Sequence, residues 1–222
     1  MLLFDIGANR GDATVVGVAL GYRVIAVEAA PKVFKELVSN FVYNPNVVPL
    51  KLAVSNTNNE VIEFYEAAED GLSTMNKEWL TSEAMPYNGK PYRTITATTI
   101  TIDKLVELYG TPDLIKIDVE GAEWAVFQGM SKSYGMLAFE WTDVTIDDHI
   151  KQLEYLRSLG YKEVAPQFIV SHLETPDEHW WCNLDTFDFK NWLNTYGPLW
   201  ELEGWKRASL RPTADVGMLW VR

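Results

Sequence analysis

Residues Leu2 to Asp12 read LLFDIGANRGD, and Arg23 to Glu28, about a dozen positions on, read RVIAVE. The first stretch is a short apolar run holding an acid, followed by a glycine-rich turn. The second is another apolar run that ends in an acid. Strand, turn, helix, strand with this spacing is how a doubly wound α/β domain holds a nucleoside-bearing cofactor at the carboxyl ends of its strands. Gly7 and Gly11 let the backbone turn sharply and approach a ligand closely, where a Cβ would intrude. Glu28 stands where a carboxylate can accept hydrogen bonds from both hydroxyls of a ribose. A dinucleotide fingerprint asks for G-x-G-x-x-G, with a bare middle position for the pyrophosphate. Here the turn is Gly7-Ala8-Asn9-Arg10-Gly11. An asparagine in the middle suits a polar amino-acid tail better, and S-adenosylmethionine is the cofactor that joins a ribose to such a tail.

Outward from this segment, strand and helix signals alternate, as in a parallel sheet covered on both faces. Ala13 to Leu20 reads as a helix stopped by Gly21, and Tyr22 to Val27 as the second strand. Pro31 opens an amphipathic helix with Val33, Phe34, Leu37, Val38 and Phe41 on one stripe. Val47 to Val54 reads as a third strand and Val61 to Tyr65 as a short one. Residues 67–93 contain several glycines and prolines and little periodicity, so they form a candidate lid or substrate loop. Asp103 to Tyr109 is a short helix stopped at Gly110. Asp113 to Asp118 and Met136 to Glu140 are buried strands, separated by a helix over Ala122 to Gln128. Thr145 can cap a helix whose Ile146, Ile150, Leu153 and Leu156 share a face before Gly160, and Val216 to Val221 is a terminal strand.

The chain of 222 residues fits one α/β domain, 1–222, with insertions. Met1 is followed at once by a core strand, which fits either a domain cut from a longer polypeptide or a naturally short start. A net charge of −12, with no run of Lys or Arg, argues against nucleic acid as a partner. A neutral, hydroxyl-rich small molecule or glycan suits the surface better. Cys182 is the single cysteine, expected as a buried small residue, so no intrachain disulfide forms and a reducing compartment is implied. No apolar stretch approaches the roughly 20 residues of a membrane span, and no basic start or cleavage site marks a secretory signal. These features point to a soluble, cytoplasmic protein. The sequence leaves its oligomeric state open.

Residues 172–206 are rich in aromatics: Trp180, Trp181, Trp192, Trp200, Trp205, Phe187, Phe189 and Tyr196. Flat amphipathic rings suit the apolar faces of sugars. They equally suit a small satellite core under a long connection.

The second chemical constellation is Leu114-Ile-Lys116-Ile-Asp118-Val-Glu120-Gly-Ala-Glu123, a strand running into a helix with carboxylates around the junction. Acids at a helix N-terminus offset its dipole by a few tenths to about 1 kcal/mol, which accounts for Glu120 or Glu123. It does not account for Lys116 and Asp118 on the strand itself, because ionisable groups there need partners. Leu137-Ala-Phe-Glu140 repeats the motif of apolar strand, then acid.

The blocks FDIGANRGD, VIAVEAAPKVFKELVSN, TITIDKL and LIKIDVEGAEWAVFQGM resemble, in this order, those of the FkbM-type family of S-adenosylmethionine-dependent methyltransferases. The resemblance runs from Leu3 to about Glu140, and DVGMLWV near the end is similar to the family's last strand. KIDVEGAE is its most specific part. The resemblance implies a doubly wound, mostly parallel seven-stranded Rossmann-like sheet with the last strand antiparallel and helices on both faces. It also implies methyl transfer to oxygen, often on a sugar or polyketide hydroxyl. Residues 172–206 match no family pattern, so the acceptor stays open.

On this reading Asp5, Gly7, Ala8, Asn9 and Gly11 surround the methionine tail and Glu28 the ribose. Ala53 and Val54 flank the adenine, with Ser55 or Asn56 near its amino group. An alcohol is a weak nucleophile, so a group near the methyl must take its proton, an effect typically worth 10²–10⁴-fold. Glu120 is the expected base, with Asp118 and Glu140 shaping the site and Lys116 pairing with one of them. Related sugar methyltransferases hold a divalent ion on acids at equivalent strand ends, and Asp118 and Glu140 suit Mg²⁺ or Mn²⁺ in that way. His172 or His179 is an alternative base, while His149 reads as a surface or packing residue. The expected acceptor is a sugar, within a glycan, with a glycosyltransferase fused to the chain or acting beside it. Two other functions fit the same fold: a nucleotide-dependent oxidoreductase, and a glycan-binding module with a vestigial core. Protein or nucleic-acid methylation is disfavoured by the acidic charge and the lack of an N-P-P-Y-like segment.

Overall fold

The computed structural model describes residues 1–69, 71–85, 87–168, 173–202 and 216–222. The elements run β1 (Leu2–Ile6), α1 (Asp12–Ala19), β2 (Arg23–Val27), α2 (Pro31–Phe41), β3 (Val47–Leu50), β4 (Ala53–Val54), β5 (Val61–Ala67) and α3 (Lys77–Thr81). They continue with β6 (Tyr92–Ile100), α4 (Ile102–Tyr109), β7 (Leu114–Ile117), α5 (Glu123–Gln128), β8 (Met136–Thr142) and α6 (Ile146–Leu159). The last four are β9 (Glu163–Gln167), β10 (Cys182–Asn183), α7 (Phe189–Leu202) and β11 (Val216–Val221).

The main sheet has the order β10-β9-β11-β8-β7-β1-β2-β3. Strands β3, β2, β1, β7 and β8 are parallel neighbours, and β11 runs antiparallel to both β8 and β9. The expected seven-stranded sheet with a reversed last strand is therefore present. Two-residue β10 adds an eighth strand at the edge of β9. Alternate side chains of β1 sort to the two faces, as the period-2 geometry of a strand requires. Phe4 and Ile6 join a core with Leu105 of α4, Phe127 of α5, Leu156 of α6 and Phe189 of α7. Leu3 joins Ala13 of α1 and Leu37 of α2 on the opposite face. The chain builds outward from β1 through β2 to β3, then crosses back to β7. The carboxyl ends of β1 and β7 thus form a topological switch point, the place where open α/β sheets bind ligands.

Three expectations need correction, and two elements, β9 and α7, are added to those expected. Val47 to Val54 is not one strand: β3 extends the main sheet, whereas β4 joins a separate three-stranded sheet, β4-β6-β5. The 67–93 segment is not structureless, since it holds α3 and the start of β6. Asn76 caps α3, its side chain accepting from the Glu78 N–H at 3.2 Å. β9 and α7 fill the stretch between α6 and the last strand. Cys182 is exposed, because it sits on the edge strand β10 and not in the core.

Candidate functional site

The turn after β1 is left-handed at Gly7 (φ +74°), Asn9 (φ +49°) and Gly11 (φ +100°). A Cβ on Gly7 would lie 1.8 Å from the Asp118 carbonyl oxygen, so the turn packs directly against the end of β7. The N–H groups of Gly7 and Ala8 both donate to the Val27 carbonyl at 3.0 Å, tying the turn to β2. Glu28, just beyond β2, closes the arrangement. Its Oε2 accepts from the Asn9 N–H at 3.0 Å and its Oε1 from the Ala30 N–H at 2.7 Å. Burial pushes the Glu28 carboxyl above its ordinary range, opposed by those two N–H donors.

Beneath the turn, Asp5 is fully buried and accepts from the Thr14 hydroxyl at 2.6 Å. The buried Lys116 ammonium lies 3.4 Å from both Asp5 Oδ1 and Asp118 Oδ2, and donates to the Gly7 carbonyl at 3.0 Å. Burial alone would lower the Lys116 pKa, but Asp118 and Asp5 hold it above the ordinary lysine range. Lys116 is therefore a fixed cation that fastens β7 to the first turn.

These elements enclose a cavity of about 180 Å³. Gly7, Ala8, Asn9 and Glu28 line one side, Ala53, Val54 and Phe64 give an apolar wall, and Asp118 and Glu120 stand at the β7 end. Asn9 Oδ1 is buried here with no hydrogen-bond partner among the described residues. A buried acceptor on the turn, an acid at the end of β2 and an apolar slot fit the tail, ribose and base of S-adenosylmethionine.

Past Asp118 the backbone is left-handed twice in succession, at Glu120 (φ +55°) and Gly121 (φ +82°). Glu123, the first residue of α5, braces this turn: its Oε1 accepts from the Val119 N–H at 3.2 Å and the Gly121 N–H at 3.4 Å. Burial pushes the Glu123 carboxyl up to about 7, against these donors. From the other side, the Asn76 amide donates to the Gly121 carbonyl at 2.9 Å and the Trp79 indole N–H donates to Glu120 Oε2 at 2.8 Å.

A second cavity of about 130 Å³ lies across this turn. Trp79, Met85, Glu123, Glu140, Thr142 and His149 are among its lining residues, and none of those described is a lysine or arginine. His149 accepts from the Thr142 N–H at Nε2 (3.0 Å), so its other nitrogen, Nδ1, donates to Gln152 Oε1 (2.8 Å). Burial lowers its pKa. It is a neutral packing residue with both nitrogens engaged. Single carboxylate oxygens of Asp118, Glu120 and Glu140 all lie within 4.8 Å of one another, close enough to share one cation.

The structure thus gathers Gly7, Ala8, Asn9, Glu28, Ala53, Val54, Lys116, Asp118 and Glu120 on one cavity and sets Glu140 on the adjoining one. Three expected contacts lie elsewhere. Asp5 is under the floor. Gly11 donates to the Ala8 carbonyl and packs on the Phe41 ring. Ser55 N–H bonds the Ile100 carbonyl, and the Ser55 carbonyl abuts Gly129. Of the histidines, His179 is exposed on a 3-10 turn, and His172 lies outside the described residues. The aromatic insertion divides. Trp192 and Phe189 pack edge-on against Trp141 in the core, whereas Trp180 and Tyr196 are exposed. None of its described rings lines either cavity. Trp205 and the Trp200 side chain lie outside the described residues. Phe64, Met75 and Trp79 carry no mark in the sequence, where nothing in their spacing sets them apart.

A doubly wound sheet with an acid after β2, a left-handed turn after β1 and carboxylates after β7 defines a class I-type methyltransferase domain. The chain belongs to the FkbM methyltransferase family: the pattern described as "Methyltransferase FkbM domain" matches residues 5–163. It is an S-adenosylmethionine-dependent methyltransferase. No curated protein sequence matches the chain. Among solved structures it is similar to a precorrin-6y C5,15-methyltransferase from Geobacter metallireducens, at 14% identity over 100% of this chain and 78% of that one, with TM-score 0.44. It is also similar to a precorrin 8w decarboxylase from Methanobacterium thermoautotrophicum (11% identity, 100% and 81% covered, TM-score 0.44). A third is the Aeropyrum pernix fibrillarin solved with natively bound S-adenosyl-L-methionine (14% identity, 100% and 65% covered, TM-score 0.46). The reaction class rests on the family match and not on these likenesses of form. Among the described residues no helix is long and apolar enough to cross a membrane.

Proposed function

We propose that this domain methylates a hydroxyl oxygen of a neutral sugar, carried within a glycan. The observation that carries the proposal is the pair of cavities on either side of the Glu120–Gly121 turn, with Glu120 on one and Glu140 on the other. When bound, S-adenosylmethionine supplies an electrophilic methyl group on a sulfonium. Glu28 receives the ribose hydroxyls, Asn9 and the turn around it the amino-acid tail, and Ala53, Val54 and Phe64 the adenine. Glu120 takes the proton from the acceptor hydroxyl as its oxygen attacks, and Asp118 and Glu140 shape the space for it. The acids Glu78, Glu123, Glu140 and Asp148 on the lining of the second cavity suit a neutral acceptor and disfavour one that carries phosphate.

The carboxylate spacing supports a second role for the same acids. Asp118, Glu120 and Glu140 are hard oxygen donors that would hold Mg²⁺ or Mn²⁺, which would lower the pKa of a bound hydroxyl. Lys116 pairs with Asp118, and the Trp79 indole donates to Glu120. A glycosyltransferase that builds the acceptor, fused or separate, is the partner this function asks for.

The test is transfer of a tritiated methyl group from S-adenosylmethionine to a pool of neutral oligosaccharides, with the product mapped by NMR. Label on a sugar oxygen is expected. Label only on nitrogen, or glycan binding without transfer, overturns the proposal, and the second outcome favours a glycan-binding module. Family membership already sets aside the nicotinamide oxidoreductase.

A further inference from the structure

Trp79 sits on α3, 41 residues before the acid whose carboxylate it holds. It is 4% exposed, and its ring lies so close to Gly121 that a Cβ there would be 2.5 Å from the indole Cε3. Position 121 is bare, and only that lets the indole reach across to Glu120. The left-handed conformation at Glu120 is one that side-chain-bearing residues seldom adopt, and it persists only where the surroundings fix it. Here Glu123 fixes it from behind, and Asn76 and Trp79 fix it from the segment before β6. That segment also walls both cavities: Gly71, Ser73 and Met75 face the first, and Asn76, Trp79 and Met85 the second. The Trp79–Glu120 bond therefore crosses the partition between the two cavities.

A glutamate has three rotatable side-chain bonds, so its carboxylate is positioned only if something holds it. A buried indole N–H is a single directional donor, and placing it against one carboxylate oxygen fixes where the whole group stands. Packing alone does not need this bond. A phenylalanine at the same site would keep the contacts with Tyr87 and the neighbouring apolar cluster. It would lose the donor, together with the volume of the second ring.

We propose that Trp79 is a positioning residue for methyl transfer, its indole N–H holding the Glu120 carboxylate at the boundary where methyl donor and acceptor meet. This rests on the reading that Glu120 serves the acceptor hydroxyl, as base or as cation ligand. Two measurements test it on the full chain. The first is the indole ¹⁵N–¹H spectrum, in which the Trp79 signal is assigned by its loss in Trp79→Phe. That signal is expected to shift in Glu120→Gln, and an unmoved signal overturns the proposal. The second is tritiated methyl transfer to the neutral oligosaccharide pool by the wild type, Trp79→Phe, Glu120→Gln and the double variant. Trp79→Phe is expected to lose tenfold or more in kcat while S-adenosylhomocysteine affinity holds, and the double variant to be no slower than Glu120→Gln alone. Trp124→Phe, which alters an exposed tryptophan on α5, controls for the general loss of an indole. Wild-type rates in Trp79→Phe, or losses that multiply in the double variant, overturn the proposal. If Glu120→Gln keeps full activity, the role of Glu120 itself falls, and the Trp79 proposal with it. If the wild type methylates nothing in the pool, the sugar assignment fails, and the indole signal then decides for or against the Trp79 contact.

Discussion

Replacing Glu123 by glutamine should make the protein more stable at alkaline pH and leave it little changed at acid pH. Glu123 is 4% exposed and keeps one carboxylate oxygen on the Val119 and Gly121 N–H groups. Its carboxyl titrates at 4.5 in the unfolded chain and is pushed up to about 7 in the fold, by burial first and by Asp118 in the same direction. Between those two values the folded state holds a proton that the unfolded state has released, so stability falls as pH rises through the window. At 1.36 kcal/mol per pH unit, the span from 4.5 to about 7 corresponds to about 3 kcal/mol, lost in full above pH 7. Glutamine keeps a carbonyl oxygen for the two N–H groups and carries no proton to lose. The stability gap between Glu123→Gln and wild type should therefore widen by about 2–3 kcal/mol between pH 5 and pH 8. Urea unfolding across that range measures it, and because both proteins share every other titrating group, the difference isolates Glu123. A gap that stays constant with pH, or that widens toward acid, would show that Glu123 does not carry its proton into the fold.

Gly7→Ala forces a Cβ into a left-handed residue and against the Asp118 carbonyl. It should cost about 2 kcal/mol or more, together with cofactor affinity, as read by thermal melting and calorimetry. Treatment with EDTA should reduce methyl transfer and added Mg²⁺ or Mn²⁺ restore it if Asp118, Glu120 and Glu140 act through a cation; indifference to EDTA leaves Glu120 as the base. Because burial raises the Glu28 pKa, S-adenosylhomocysteine affinity should weaken toward acid pH as the carboxylate that receives the ribose becomes protonated; affinity flat down to pH 5 would contradict that role.

How far the sequence could be read depended on burial. Strands β1, β2, β7 and β8 lie at the centre of the sheet, and each is a mostly apolar run, of the kind that buried parallel strands need, with one or two polar residues in it. The acids in or just after them, Asp5, Glu28, Asp118 and Glu140, stand out because carboxylates rarely adjoin such runs without reason. The edges were harder to read. β6 reads YRTITATTI through its length, alternating only weakly between exposed and buried, and it lies in a small side sheet. β9 contains Pro166, which argues against a strand, yet it pairs with β11 on one side and with short β10 on the other. α7 carries Gly197 and Pro198, both poor helix residues. Lys116 was legible as an ion in need of a partner but not as the group that joins Asp5, Asp118 and the Gly7 carbonyl, because that contact spans 109 residues. Trp79 was hidden for the same reason. Its meaning lies in a hydrogen bond to a residue 41 positions away, which no local pattern encodes.

Every functional assignment above depends on the Gly7–Gly11 turn and Glu28 holding the cofactor. Calorimetric titration of the wild type, Glu28→Ala and Glu28→Gln with S-adenosylhomocysteine tests this, with melting curves confirming that each variant folds. Micromolar binding by the wild type and a loss of tenfold or more in both variants are expected. Equal affinity in folded variants, or no binding by folded wild type, would contradict it.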